Sequence, residues 1–149
     1  MAKTGYRHNR SASLPPFLPL ALDVIESVAF RALPPSAAKG FIFFLRKPIK
    51  ERIFYRDSRF YTWQFEFSYT EAESYGFARA TWNRVLRELL AHGFIDLVSK
   101  GDLKSRRPSS SKFVLSERWR NFGTSYFDQG GWQRSFPPKY DPDSERRSP

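Results

Sequence analysis

In the middle of the chain the apolar residues fall at Trp82, Val85, Leu86, Leu89 and Leu90. That is the i, i+3, i+4, i+7, i+8 spacing of an amphipathic helix, which predicts a helix over 78–91 closed by Gly93. Phe94–Val98 then reads as a strand, 99–111 as a polar loop and Lys112–Leu115 as the returning strand. Upstream, Ser68 and Glu71 form a capping box, in which the serine oxygen takes a free amide while the glutamate reaches back. A short helix Tyr69–Tyr75 follows and stops at Gly76, where a left-handed residue costs a glycine least. The order is therefore helix, tight turn, amphipathic helix and strand pair.

The flanking patterns are less regular. From Ala21 the helical spacing is met at Val24, Ile25, Val28, Ala29 and Ala32, and Pro34-Pro35 stops that helix. Ser36 suits an N-cap for a second helix, Ala37 to about Arg46, apolar on several sides and ended by Pro48. The runs Arg52–Tyr55 and Phe60–Phe67 are aromatic and β-branched, with Arg56-Asp57-Ser58-Arg59 suited to a turn, so 50–67 reads as a hairpin. Ser116 can cap a short last helix, Ser-Glu-Arg-Trp-Arg. Residues 1–15 are polar and basic without apolar period. Beyond Phe127 the composition turns to Gly, Pro, Ser and charge, which buries too little apolar surface to order itself. The predicted organisation is a disordered basic arm over 1–15, one domain over 16–127 and a disordered tail over 128–149.

Composition narrows the chemistry. A chain of 149 residues, 40% apolar and 17% aromatic, is long enough to bury one ordinary core. With no cysteine, disulfides, thiolate catalysis and cysteine-ligated zinc are excluded, and the reducing cytoplasm is the natural home. No apolar run approaches the ~20 residues of a membrane span. The only histidines, His8 and His92, have no partner spacing for a metal site or a triad. No glycine-rich phosphate loop is present. The chain therefore does not read as an enzyme, and no cofactor is expected. Pro137–Tyr140 matches a short proline motif, which is weak in a tail.

The formal net charge of +10 is clustered. The arm holds Lys3, Arg7 and Arg10, residues 46–60 hold six cations against Glu51 and Asp57, and residues 76–120 hold ten against four acids. A surplus focused in this way attracts phosphate and speeds encounter with nucleic acid. On the predicted second helix, Ala80, Asn83, Arg84 and Arg87 face outward, with Arg79 near the N-terminus. Arginine can bridge the two acceptors of a guanine edge and asparagine can do so for adenine. Arg79, Asn83 and Arg84 are thus the base-contact candidates, and Arg87, a turn later, the phosphate contact. A merely solvated face is the alternative, but three arginines against one acid, Glu88, argue against it.

The loop between the strands adds Lys100, Lys104, Arg106, Arg107 and Lys112, a basic edge suited to the minor groove or backbone. Lys47, Lys50, Arg52, Arg56 and Arg59 form a second basic patch, equally explained by phosphate contact or by protection of an edge hairpin. Phe41, Phe44, Trp82, Phe94 and Trp119 sit at core positions. Tyr55, Tyr61 and Trp63 are the aromatics left as a stacking surface for single strands.

The stretch FSYTEAESYGFARATWNRVLRELLAHGFIDL, followed by KFVLSERWRNFGTSYF, resembles bacterial winged helix-turn-helix DNA-binding proteins, including replication-initiation-like and regulator-like proteins of mobile elements. The likeness spans about Leu20 to Phe127. It implies an α+β winged helix-turn-helix, mostly helical with a small antiparallel sheet, that binds double-stranded DNA with base contacts at Arg79, Asn83 and Arg84. Ala78 departs from the pattern, where a serine or threonine cap is usual; a lost cap costs on the order of 1 kcal/mol. Transcription regulation and a replication or mobile-element role both fit. The alternatives are RNA or single-strand binding and a protein-interaction scaffold. A homodimer is allowed through the first helix or the residues around Phe122–Phe127.

Overall fold

The computed structural model describes residues 15–101 and 110–134. In chain order its elements are α1 (Leu22–Ile25), α2 (Val28–Ala32), α3 (Pro35–Lys50), β1 (Phe65–Glu66), α4 (Tyr69–Ser74), α5 (Arg79–His92), β2 (Ile95–Ser99) and β3 (Lys112–Leu115). Single 3-10 turns follow at Arg118–Asn121 and Trp132–Arg134. The fold is α+β. Its three strands form one antiparallel sheet in the order β1-β3-β2, with Phe65 opposite Phe113, Glu66 opposite Lys112 and Ile95 opposite Leu115. None of the helices among the described residues is long and apolar enough to cross a membrane.

The core is built on α3, which crosses α5 at Gly40. A side chain there would overlap Val85 Cγ1, so the glycine sets how closely the two helices approach. Phe44 of α3 stacks on Trp82 of α5 (5.6 Å, 6°) and on Phe67 (4.8 Å), and meets Phe113 of β3 edge-on at 5.4 Å. One aromatic ring thereby ties the sheet, α3 and α5 together. A second group joins Phe41 to Phe94 (4.8 Å), and Phe94 to Phe30 and Trp119. Phe41, Phe44, Trp82, Phe94 and Trp119 are all buried, as their phases predict.

Four local expectations are corrected. The helix expected from Ala21 is two, because Ser27 breaks it: its hydroxyl donates to the Val24 carbonyl at 2.6 Å and accepts the Phe30 amide at 3.0 Å. A serine that bonds the backbone on both sides competes with the helical ladder. Second, α3 begins at Pro35 rather than at a Ser36 cap, with proline at its first position, and it runs through Pro48 to Lys50. Pro48 lies in the last turn and is fully buried, and its carbonyl still accepts the Glu51 and Ile53 amides. Burial and those bonds offset the ladder bond that proline cannot make.

Third, the hairpin over 50–67 is absent. Residues 55–62 are consecutive turns, and of the two predicted strands only Phe65–Glu66 remains, paired with β3 and not with its own neighbour. Of the aromatics there, Phe60, Phe65 and Phe67 are buried and Tyr55, Tyr61 and Trp63 half-buried, so side-chain packing rather than strand pairing explains most of them. Fourth, residues 128–134 are placed. Arg118, only 13% exposed, bonds the Asp96 carboxylate at 2.7 Å and the carbonyls of Leu90, Ile95 and Asp128. Trp132 packs on the core beyond it. The expectations for 1–14 and 135–149 lie outside the described residues.

Elsewhere the predicted elements stand with small shifts of boundary. Ser68 accepts the Glu71 amide at 3.0 Å and so caps α4, but the second half of the expected capping box is not made, because the Glu71 carboxylate goes to Lys47 at 2.6 Å instead of reaching back. Gly76 and Gly93 both have positive φ, and β3 spans the predicted residues. Ser116 Oγ accepts the Arg118 amide at 3.1 Å at the start of the 3-10 turn.

Candidate nucleic-acid interface

Helix α5 has no side-chain cap at Ala78 and no acid in its first turn, so free amides and the positive dipole end face outward beside Arg79. Arg79 is exposed and lies over the Tyr69 ring, 4.7 Å from its centroid. Ala80 and Arg84 are exposed one turn apart along the same face. Arg87 continues that face half-buried and already engaged with neighbouring groups. Glu88 lies beside it, its carboxylate 3.5 Å from His92 Nδ1. The open cations of this helix are therefore Arg79 and Arg84.

Asn83 is placed differently from the outward position predicted for it. It is 7% exposed, and its side-chain oxygen accepts from the Tyr69 hydroxyl at 3.4 Å. The helical wheel puts residue 83 at the border of the apolar face, and α4, packing on that border, covers it. Tyr69 therefore touches both ends of the group, holding Arg79 through its ring and Asn83 through its hydroxyl.

At the sheet, Lys100 follows β2 directly and is exposed, with interactions of its own. The base of the connecting loop is closed by the Gly101 amide on Ser111 Oγ at 3.0 Å. Lys112 is exposed at the start of β3, but it lies directly across from Glu66, which offsets part of its charge. Lys104, Arg106 and Arg107 lie outside the described residues.

Two basic residues not singled out from the sequence flank the turn before α5. Lys39 of α3 is exposed, with its ammonium 4.9 Å from the Phe77 ring centroid, beside the turn that joins α4 to α5. Arg46 donates to the Tyr75 hydroxyl at 3.1 Å. No sequence signal could have found them, since each meets the turn only through tertiary packing.

The second basic patch is partly neutralised. Lys47 pairs with Glu71, and Arg59 pairs with Asp57 at 2.7 Å. The Arg59 side chain and backbone amide hold the Asp57 carboxyl down to about 2. Lys50, Arg52 and Arg56 remain exposed. The three aromatics left as a stacking surface are all half-buried. Tyr55 donates to the Pro19 carbonyl at 2.9 Å and packs on Phe60, and burial pushes its hydroxyl up. Burial, with the Glu117 carboxylate, pushes Tyr61 up to about 12. Trp63 packs toward Phe65, 5.8 Å between centroids. Among the described residues, no group of three or more His, Asp or Glu could hold a metal ion.

No protein-family model, no curated protein and no solved structure matches this chain.

Proposed function

We propose that the protein is a winged helix-turn-helix that binds double-stranded DNA. The observation that carries this reading is the arrangement of α4, the Gly76 turn and α5 ahead of an antiparallel β2–β3 pair, with β1 added along β3. A reading helix and a wing follow one another in that order, and the helix presents Arg79 and Arg84 from its N-terminal half. In this reading α5 enters the major groove, Arg79 and Arg84 meet base edges, and Arg87 and Lys39 meet phosphate. The loop between β2 and β3, with Lys100, Lys104, Arg106, Arg107 and Lys112, grips the backbone. Asn83 serves the α4–α5 contact and leaves the base-reading set. Inward packing of Tyr55, Tyr61 and Trp63 weighs against a single-strand stacking platform. Regulation of transcription and maintenance of a mobile element both use such a reader.

The test is selection of bound sequences from a random duplex library at two salt concentrations. An enriched motif with steep salt dependence is the expected result. Arg84→Ala should then weaken the selected site by about 1–3 kcal/mol while sparing random duplex. Arg106→Ala should weaken all sequences alike and flatten the salt slope. Absence of binding at ~50 mM salt, where phosphate contacts are strong, would refute the reading.

A further inference from the structure

Away from α5, the outer face of α3 forms one wall of an open cleft of about 530 Å³, and the strap of residues 16–18 forms the other. Its surface is apolar. Phe17 from the strap and Ile42 from α3 line it at 71% and 40% exposure, two of the large hydrophobic side chains left facing solvent. Phe43 contributes to the floor. The rim is cationic: Arg46, Lys50 and Arg52 line the cleft, and among the described residues no acidic side chain does. Arg46 is tethered to the Tyr75 hydroxyl, whereas Lys50 and Arg52 form no ion pair among the described residues.

Arg52 carries a second signal. It has φ of 60°, the one described non-glycine residue with positive φ, and occupies the position after a helix end where glycine is usual. A side chain there is held against a backbone preference. Strain of this kind at an exposed position points to a use for the side chain beyond folding.

We propose that this cleft is the docking site for an acidic, amphipathic segment of a partner protein. Apolar side chains of the segment would seat between Phe17 and Ile42, and its carboxylates would meet Arg46, Lys50 and Arg52. A groove that takes the apolar face of a helix is a recurrent mode of peptide recognition. The charge complementarity selects an acidic partner, and a rim of one sign rejects basic ones. Nucleic acid is a poor occupant, because a phosphate backbone gains nothing from an apolar floor. A small molecule is poorly served too, since small-ligand sites enclose most of their ligand and this cleft is open.

The cleft is also joined to the turn before α5. Phe43 stacks on Tyr75 at 4.1 Å and Arg46 bonds its hydroxyl, and Tyr75 caps α4 immediately before Gly76. An occupant would therefore press on the residues that hold this turn.

The test is display selection of a random peptide library on the purified chain, followed by binding of the selected peptides to Ile42→Glu and Arg52→Gly variants. Selected peptides should carry large apolar residues with two or more acids. Ile42→Glu, at an exposed helical position, should weaken them roughly tenfold with the circular dichroism spectrum unchanged. Arg52→Gly, which relieves the backbone, should weaken them several-fold while raising the melting temperature. A folding defect cannot produce that combination. Basic or sequence-random peptides, retention of full binding by both variants, or no peptide enriched over an unrelated control protein would overturn the proposal. None of these readouts depends on DNA binding.

Discussion

Helices α3 and α5 end in the same hydrogen-bonded figure with different residues at its left-handed position. At the end of α5 the Gly93 amide bonds the Leu90 carbonyl at 3.2 Å and the Phe94 amide bonds Leu89 at 3.0 Å. At the end of α3 the Arg52 amide bonds Ile49 and the Ile53 amide bonds Pro48, both at 2.9 Å. This is the Schellman pattern, and in each case the next residue, Phe94 or Ile53, is buried. The left-handed residue is Gly93 (φ 84°) in one and Arg52 (φ 60°) in the other. The difference lies in what surrounds them. A Cβ at Gly93 would come within 2.6 Å of the Trp119 amide nitrogen, which itself bonds the Gly93 carbonyl at 3.1 Å. Arg52 is exposed, so only backbone strain opposes its side chain. Packing makes glycine obligatory at one helix end, and the absence of such packing at the other leaves room for a side chain.

That contrast can be broken in graded steps. The largest loss is expected for Gly93→Ala, where left-handed strain of about 1–2 kcal/mol adds to a clash with backbone costing about 1–3 kcal/mol. Denaturant unfolding should show a loss of about 2–5 kcal/mol; less than 1 kcal/mol would mean that the 3-10 turn yields easily. Gly40→Ala comes next, because it adds crowding without φ strain. Val85 and Trp82 must shift, and better helix propensity offsets part of the cost, leaving a loss of about 1–2 kcal/mol. Gly76→Ala isolates strain alone, since the nearest neighbour of its Cβ is the Lys39 ammonium at 4.0 Å, and about 1 kcal/mol is expected. Arg52→Gly should reverse the sign. Relief of strain, less the extra freedom of glycine in the unfolded chain, should gain about 0.5 kcal/mol by the same measurement. A loss there would show that the Arg52 side chain stabilises the fold and would remove strain as a pointer to function.

The elements legible in advance were those whose signals are local. Ser68 and Gly76 bound α4, the Trp82–Leu90 spacing and Gly93 define α5, and β3 spans its predicted residues Lys112–Leu115. Residues 50–67 misled because aromatic and β-branched side chains report burial, and burial under helices looks the same in sequence as burial in a hairpin. The tail after Phe127 misled for the opposite reason. Its composition is poor in core-forming residues, and contacts distant in sequence place its first part: Arg118 reaches the Asp128 carbonyl and Trp132 packs on the core.

The candidate interface divides in the same way. Exposure of Arg79 and Arg84 followed from helical phase, whereas Asn83 lies at the edge of the apolar face, where phase leaves the outcome open. Lys39, Arg46 and the cleft on α3 were invisible, because their neighbours are distant in sequence.

What the sequence determined by itself is the order of helix, turn, helix and strands, the apolar face of α5 and the clustering of positive charge. Each is written in spacings of a few residues or in composition. Tertiary structure alone decided that β1 pairs with β3, that α3 crosses α5 at Gly40, that Asn83 is covered by Tyr69, and that Arg52 stands exposed where a helix end usually has glycine. These depend on which surfaces meet, and that is set by burying the whole apolar surface at once.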